Sequence, residues 1–162
     1  MIIGHGDIAS VLVDREGFTF FASGISNSQE MRENEYNREY NLLMKQDINS
    51  HLVYFSSLCI FYAHTRYAEH KRYMELEIKY HFPHYTILRL GNITWGVNPH
   101  TLINHLREQR RSGQVLEIRD TYRYIVDQGE FLHWVSLIPE WSCEMNITGR
   151  RMTVRQIVDE LV

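Results

Sequence analysis

Tyr67 and Lys71 stand four residues apart, a spacing that puts both side chains on one face of a helix. A free phenol titrates near ~10 and is a poor acid or base at neutral pH. A nearby ammonium favours the phenolate and brings that value closer to the working range. Lys71 would also hydrogen-bond a cofactor ribose. Ser57 closes the preceding apolar run, where its hydroxyl would donate to a substrate oxygen as charge develops on it. A Tyr-x-x-x-Lys pair alone is common on amphipathic surfaces, and Tyr73, Lys79 and Tyr80 are decoys on the same stretch. What adds weight is order: a glycine turn at the start, Ser57 at a strand end, then Tyr67 and Lys71 opening the next helix.

The glycine turn is Gly4-x-Gly6-x-x-Ala9, directly after the apolar Met1 to Ile3. Gly4 suits a sharp turn, Gly6 lets a pyrophosphate approach the backbone, and Ala9 lets a helix pack close to its strand. Ile8, Val11 and Leu12 recur at helical spacing, so a first helix is expected there, ending at Asp14 to Gly17. The plain alternative is a glycine turn joining a strand to a helix. Asp7 brings a negative charge close to the phosphate position, and no acidic residue lies between Glu16 and Glu30 to anchor an adenosine ribose.

The elements that must carry these residues follow from pattern. Phe18 to Ala22, His51 to Ser57 and Tyr85 to Leu90 read as buried strands. Helices are expected from about Glu33 to Gln46 and Thr65 to Tyr80, the second stopped at Phe82-Pro83. Beyond them lie a helix at Thr101 to Arg111, closed by Gly113, and a short strand near Val115 to Ile118. A helix near Gln128 to Leu137, a strand at Glu144 to Ile147 and a final helix from Val154 to Leu161 complete the chain. Strands alternating with helices predict one α/β domain over residues 1–162, a parallel sheet with helices on both faces.

The 162 residues, 44% of them hydrophobic, exclude a disordered chain, and nine Gly with three Pro exclude a collagen-like one. No apolar run is long enough to span a bilayer, and the first residues lack a signal-peptide pattern. A net charge of -3 gives no electrostatic footprint for nucleic acid or anionic lipid. Cys59 and Cys143 read as thiols of a reducing compartment, so a cytoplasmic location is expected. The nine histidines, His64/His70 and His81/His84 among them, lack the spacing of a zinc site, so no metal is expected.

Taken in order, these segments resemble the extended short-chain dehydrogenase/reductase family, in its nucleotide-sugar epimerase and dehydratase branch. Val53-Tyr54-Phe55-Ser56-Ser57-Leu58-Cys59-Ile60-Phe61 resembles the family's serine strand, and Tyr67-Ala68-Glu69-His70-Lys71 its active-site helix. Leu88-Arg89-Leu90-Gly91-Asn92-Ile93-Thr94-Trp95-Gly96 resembles the strand and turn that follow, and Tyr124 to Asp127 and Asn146 to Gly149 its late segments. The resemblance implies a Rossmann-like, NAD- or NADP-dependent oxidoreductase or epimerase acting on a nucleotide-linked sugar. Ser57, Tyr67 and Lys71 would be catalytic. Gly4, Gly6, Asp7, Ile8, Ala22, Ser23, Gly24 and Leu90 would bind the cofactor, and Asn92 the substrate. It also implies a homo-oligomer through the helices of Glu33 to Gln46 and Thr65 to Tyr80, and a reduced substrate region from about 113 to 162.

Two departures qualify this. The first helix leads straight into what resembles the family's fourth strand, so the second and third strands, which carry the ribose anchor and adenine pocket, are missing. Leu58 and Cys59 stand where the sugar dehydratases place an acidic pair, which leaves epimerase or keto-reductase chemistry. The alternative is a reduced, non-catalytic binding or assembly protein.

Overall fold

The computed structural model describes residues 1–116, 118–119 and 121–162. Strand β1 (Ile2–Ile3) is followed by β2 (Phe18–Phe21), helix α1 (Glu33–Leu43), β3 (His51–Ser57), α2 (Arg66–His81) and β4 (Tyr85–Leu90). Then come β5 (Asn92–Ile93), α3 (Leu102–Arg111), β6 (Tyr122–Val126), α4 (Gln128–Ser136), β7 (Cys143–Ile147), β8 (Arg150–Thr153) and α5 (Val154–Leu161).

Strands β1, β2, β3, β4 and β7 form a parallel sheet in that spatial order. Strand β3 is buried from His51 to Ser56, which is why it reads as a continuous apolar run rather than an alternating one. Its side chains alternate between the two faces. Leu52 and Tyr54 pack with Leu43 of α1 and Met74 and Ile78 of α2, while Val53 and Phe55 pack with Phe131 of α4. The sheet is therefore Rossmann-like, covered on both sides, and β1 lies at its edge with no further strand beyond it among the described residues.

Local chemistry fixes the ends of α2. The Thr65 hydroxyl accepts from the Ala68 amide at 3.2 Å, and Phe82, restricted by the following proline, leaves the helical region. Strand β4 leads into a second, three-stranded sheet, β5-β6-β8, which with α3 and α5 buries Ile103, Leu106, Ile125, Met152, Ile157 and Val158. Residues after 113 thus serve both sheets, since β7 and α4 belong to the main one.

Three expectations are corrected. The helix predicted after the glycine turn is a single 3₁₀ turn, Ala9–Val11. Ile8, Val11 and Leu12 do pack against the sheet, but so short an apolar run provides too few turns to propagate a helix. The strands β5, β6 and β8 and their separate sheet were not expected. The strand predicted near Val115 to Ile118 includes Glu117, outside the described residues, while Val115, Leu116 and Ile118 lie in no strand.

Candidate active site at the strand ends

The carboxyl ends of the parallel strands form one edge, the place where sheets of this kind bind ligands. Gly4 follows β1, Ala22 follows β2, Ser57 ends β3 and Leu90 ends β4, with Ser57 and Leu90 paired in register. Gly4 has φ +116°, and a Cβ there would stand 2.4 Å from the Ala22 carbonyl oxygen, so the first turn lies directly against the backbone after β2. Gly6 has nothing within 4 Å of where its Cβ would be. Ile8 packs into the main core.

Asp7 ties this turn to the chain after β5. Its carboxylate accepts from the Val97 and Asn98 amides, each at 3.0 Å, and its carbonyl accepts from Trp95 Nε1 at 3.0 Å. Asn92 donates to the Tyr124 carbonyl at 3.2 Å, so its side chain links β5 to β6. Ser23 receives Arg38 of α1 at both its hydroxyl and its carbonyl.

The three residues assigned to catalysis come together. The Ser57 Oγ accepts from the Cys59 amide at 3.2 Å, capping the 3₁₀ turn Leu58–Phe61. Tyr67 sits in the first turn of α2, and Lys71 one turn on places its Nζ 5.6 Å from the Tyr67 ring centroid. Burial pushes the Tyr67 phenol well above its usual value, Cys59 and Glu39 add to the rise, and hydrogen bonding with Ser57 opposes them. This corrects the expectation that Lys71 lowers it. The physical reason is that the ammonium already has a counter-charge.

That counter-charge is Glu39 on α1, fully buried. Lys71 Nζ donates to Glu39 Oε1 and to the Tyr54 hydroxyl, both at 3.0 Å. The Tyr54 hydroxyl donates to the same Oε1 at 2.6 Å. Glu39 Oε2 receives the Ile25 amide at 2.9 Å and pairs with His70 Nε2 at 3.1 Å. Burial alone would raise the Glu39 carboxyl, but Lys71, His70 and Tyr54 outweigh it and hold it well below the usual carboxylate range. Tyr54 goes the other way, raised by burial and by Glu39. A Cβ on Gly24 would stand 2.9 Å from both Glu39 Oε1 and Lys71 Nζ, so glycine there lets the chain pass close over the pair.

Sequence reasoning missed Glu39, Tyr54 and His70. The available signal was an acid on the buried face of α1, at helical spacing from Tyr36 and Leu43. A second buried pair braces α2. Glu75 accepts from Ser56 Oγ at 2.6 Å and from Arg89 of β4 at 2.6–3.2 Å, and Arg89 reaches on to Glu144 of β7. Ser56 is therefore held under α2, and Ser57 is the serine left at the strand end.

No protein-family model matches the sequence, and no curated protein is significantly similar to it. Solved structures share its backbone: UDP-glucose 4-epimerase from Thermotoga maritima, determined with UDP-glucose, superposes with a TM-score of 0.66 at 16% identity over 90% of this chain. The fold is that of the nucleotide-sugar epimerases and dehydratases. WbmG of Bordetella bronchiseptica, in complex with NAD and UDP, matches 88% of this chain at 16% identity and TM-score 0.66. A dTDP-glucose 4,6-dehydratase from Bacillus anthracis, in complex with NAD, matches 89% at 15% and 0.66. The matches cover 60%, 54% and 55% of those three proteins, so this chain spans little more than half their length.

A dinucleotide such as the NAD of the WbmG and dehydratase structures fits the residues here at one end only. The glycine turn, with open space at Gly6, suits a pyrophosphate. The ribose end does not fit. Lys71, at 2% exposure, is engaged by Glu39 and Tyr54, and β2 runs out into Ala22-Ser23-Gly24-Ile25 with no acid. Behind the turn there is one 3₁₀ turn, which lacks the dipole of a full helix. Among the described residues no group of three or more His, Cys, Asp or Glu is placed to hold a metal, and no helix is long and apolar enough to cross a membrane.

Proposed function

We propose that this chain binds a nucleotide-linked sugar at the strand ends and acts on it as an epimerase or reductase of the fold's kind, with NAD or NADP as the implied cofactor. The observation that carries the reading is that Ser57 ends β3 in register with Leu90, with Tyr67 in the first turn of the helix that follows and the glycine turn two strands over. In this reading Tyr67 exchanges a proton with a sugar hydroxyl or carbonyl oxygen, and Ser57 hydrogen-bonds that oxygen. Lys71 supports Tyr67 from the buried side, and Asn92 lies on the substrate side. WbmG and the Bacillus anthracis dehydratase, both determined in complex with NAD, support a nicotinamide nucleotide, which would supply hydride transfer when bound.

A second reading is favoured by the Glu39–Lys71 pair: a binding or assembly protein that keeps the substrate edge without turnover. Both are tested by calorimetric titration with NADH, NADPH, UDP-sugars and dTDP-sugars. Binding of a dinucleotide and a sugar nucleotide supports the enzyme, and a sugar nucleotide alone supports the second reading. Binding of none at millimolar concentration overturns both. With turnover in hand, Tyr67→Phe should lower kcat by ~10²–10⁴ with affinity nearly unchanged. Unaltered kcat would remove Tyr67 from the proton-transfer role.

A further inference from the structure

Glu39 is an acid on the otherwise apolar buried face of α1, and all of its hydrogen-bonding capacity is directed inward. Its two oxygens take the Lys71 ammonium, the Tyr54 hydroxyl, the Ile25 amide and His70 Nε2. Lys71 contacts Tyr54 as well, and the backbone at Gly24 passes close to both members of the pair. An ammonium so enclosed does not reach a ligand without taking the counter-ion away from a fully buried carboxylate, which is strongly disfavoured. We propose that Glu39 is a positioning residue that fixes Lys71 as the inner half of a buried ion pair, so that Tyr67 faces a neutral pair rather than a free ammonium.

The inference deepens the proposed function and rests on it for its meaning, because it sets the direction in which Tyr67 works. A phenol facing a free ammonium is primed to accept a proton from a hydroxyl. A phenol facing a neutral pair keeps its own proton and presents it, with the Ser57 hydroxyl, to an electron-rich oxygen such as a carbonyl. The ligand class this favours at the strand ends is a keto-sugar rather than an alcohol awaiting deprotonation. The other groups around Tyr67 do not supply a free cation in place of Lys71. Those that act on it are Tyr36 from α1, Tyr54 from β3 and Cys59 from the 3₁₀ turn, none of them a cation. Along α2, His70 pairs with Glu39, Arg66 with Glu33, and Arg72 donates to the Ile60 and Ala63 carbonyls.

The test needs no ligand and no activity, so its failure is distinct from failure of the functional reading. Protein carrying ¹³Cζ-labelled tyrosine is titrated by NMR, with the Tyr67 signal identified by its loss in Tyr67→Phe. In the wild type Tyr67 should ionise above the free-tyrosine value of ~10. Glu39→Gln keeps an acceptor for Lys71 but removes the charge, and should lower the Tyr67 midpoint by about one unit or more, a tenfold fall in proton affinity. Glu39→Gln/Lys71→Met restores neutrality and should return the midpoint to within about half a unit of wild type. A wild-type midpoint below ~10, or a Glu39→Gln midpoint that does not move, overturns the proposal. Should Glu39→Gln not fold, the wild type and the double variant decide. A Tyr67 midpoint that rises by about one unit or more in the double variant means that a free ammonium had been acting on the phenol.

Discussion

A carboxylate with four inward hydrogen-bond partners is also a commitment of stability. Removing one partner of a buried pair leaves the other charge uncompensated, so Glu39→Ala should cost about 3–5 kcal/mol, read from the urea midpoint. The pair also gives a pH dependence of definite sign. In the unfolded chain Glu39 titrates near the ordinary ~4.3, whereas in the fold its carboxyl is held well below that range. The unfolded state therefore binds the proton more tightly. The stabilisation is fully present above the unfolded value and is lost as pH falls below it toward the folded one. Glu30, held down to about 2 by Arg32, and Glu144, beside Lys79 and Arg89, act in the same sense. Urea midpoints measured from neutral pH down to about 3 should decline, and Glu39→Gln should flatten the decline. An equal slope in the variant would mean that Glu39 is not depressed in the fold. Nothing in residue type marks Glu39 out, since Glu33 and Glu35 share its helix. Only the face it occupies does, and that face is defined by the sheet beneath it. Ser57, Tyr67 and Lys71 could be singled out as candidates because of their order along the chain. Their protonation was not legible, because it depends on a carboxylate brought in from another helix.

Elements differ in how much they owe to local sequence. Strands β3 and β4 were legible because a strand buried on two faces is rich in apolar and β-branched residues, as in Leu52 to Phe55 and Thr86 to Leu88. Helix α5 was likewise legible, its start fixed by the capping box of Thr153 and Gln156. The small sheet was not, because β5 and β8 are two and four residues long and take their order from partners far along the chain. The shortened connection after β1 has a consequence for packing. With only a 3₁₀ turn on that side, α4 carries most of the cover over Val53, Phe55, Leu88 and Leu90, and its Phe131 is wholly buried between Phe55 and Trp95, with ring centroids 5.8 and 5.1 Å away. Phe131→Ala should therefore cost about 3–5 kcal/mol, at the upper end for a core truncation, since no second helix can close the space. A loss below about 1 kcal/mol would show that the 3₁₀ turn collapses into the gap.

At the scale of the molecule, the face of α2 turned away from the sheet is the feature the fold itself leaves unexplained. Tyr73, Leu76 and Tyr80 recur at helical spacing with exposures of 46%, 64% and 83%, and Tyr40 of α1 stacks on Tyr73 with ring centroids 5.8 Å apart. Single exposed apolar residues are ordinary, but a stripe shared by two neighbouring helices is the kind of patch that marks an interface. A second copy of the chain is the partner the sequence reading implies, the two helices of each copy packing against those of the other. Were two copies to pack these faces about a two-fold axis, the association would close at a dimer instead of propagating. A stable dimer buries about 1,200–2,000 Å² in total, which a pair of helices this long can supply. Sedimentation velocity at tens of micromolar should find a dimer. Leu76→Glu, which puts a charge at the centre of the stripe while leaving the buried face of α2 intact, should return the protein to a monomer with unchanged circular dichroism. A wild-type monomer of 19.4 kDa at every concentration would refute the interface and leave the tyrosine stripe without a partner.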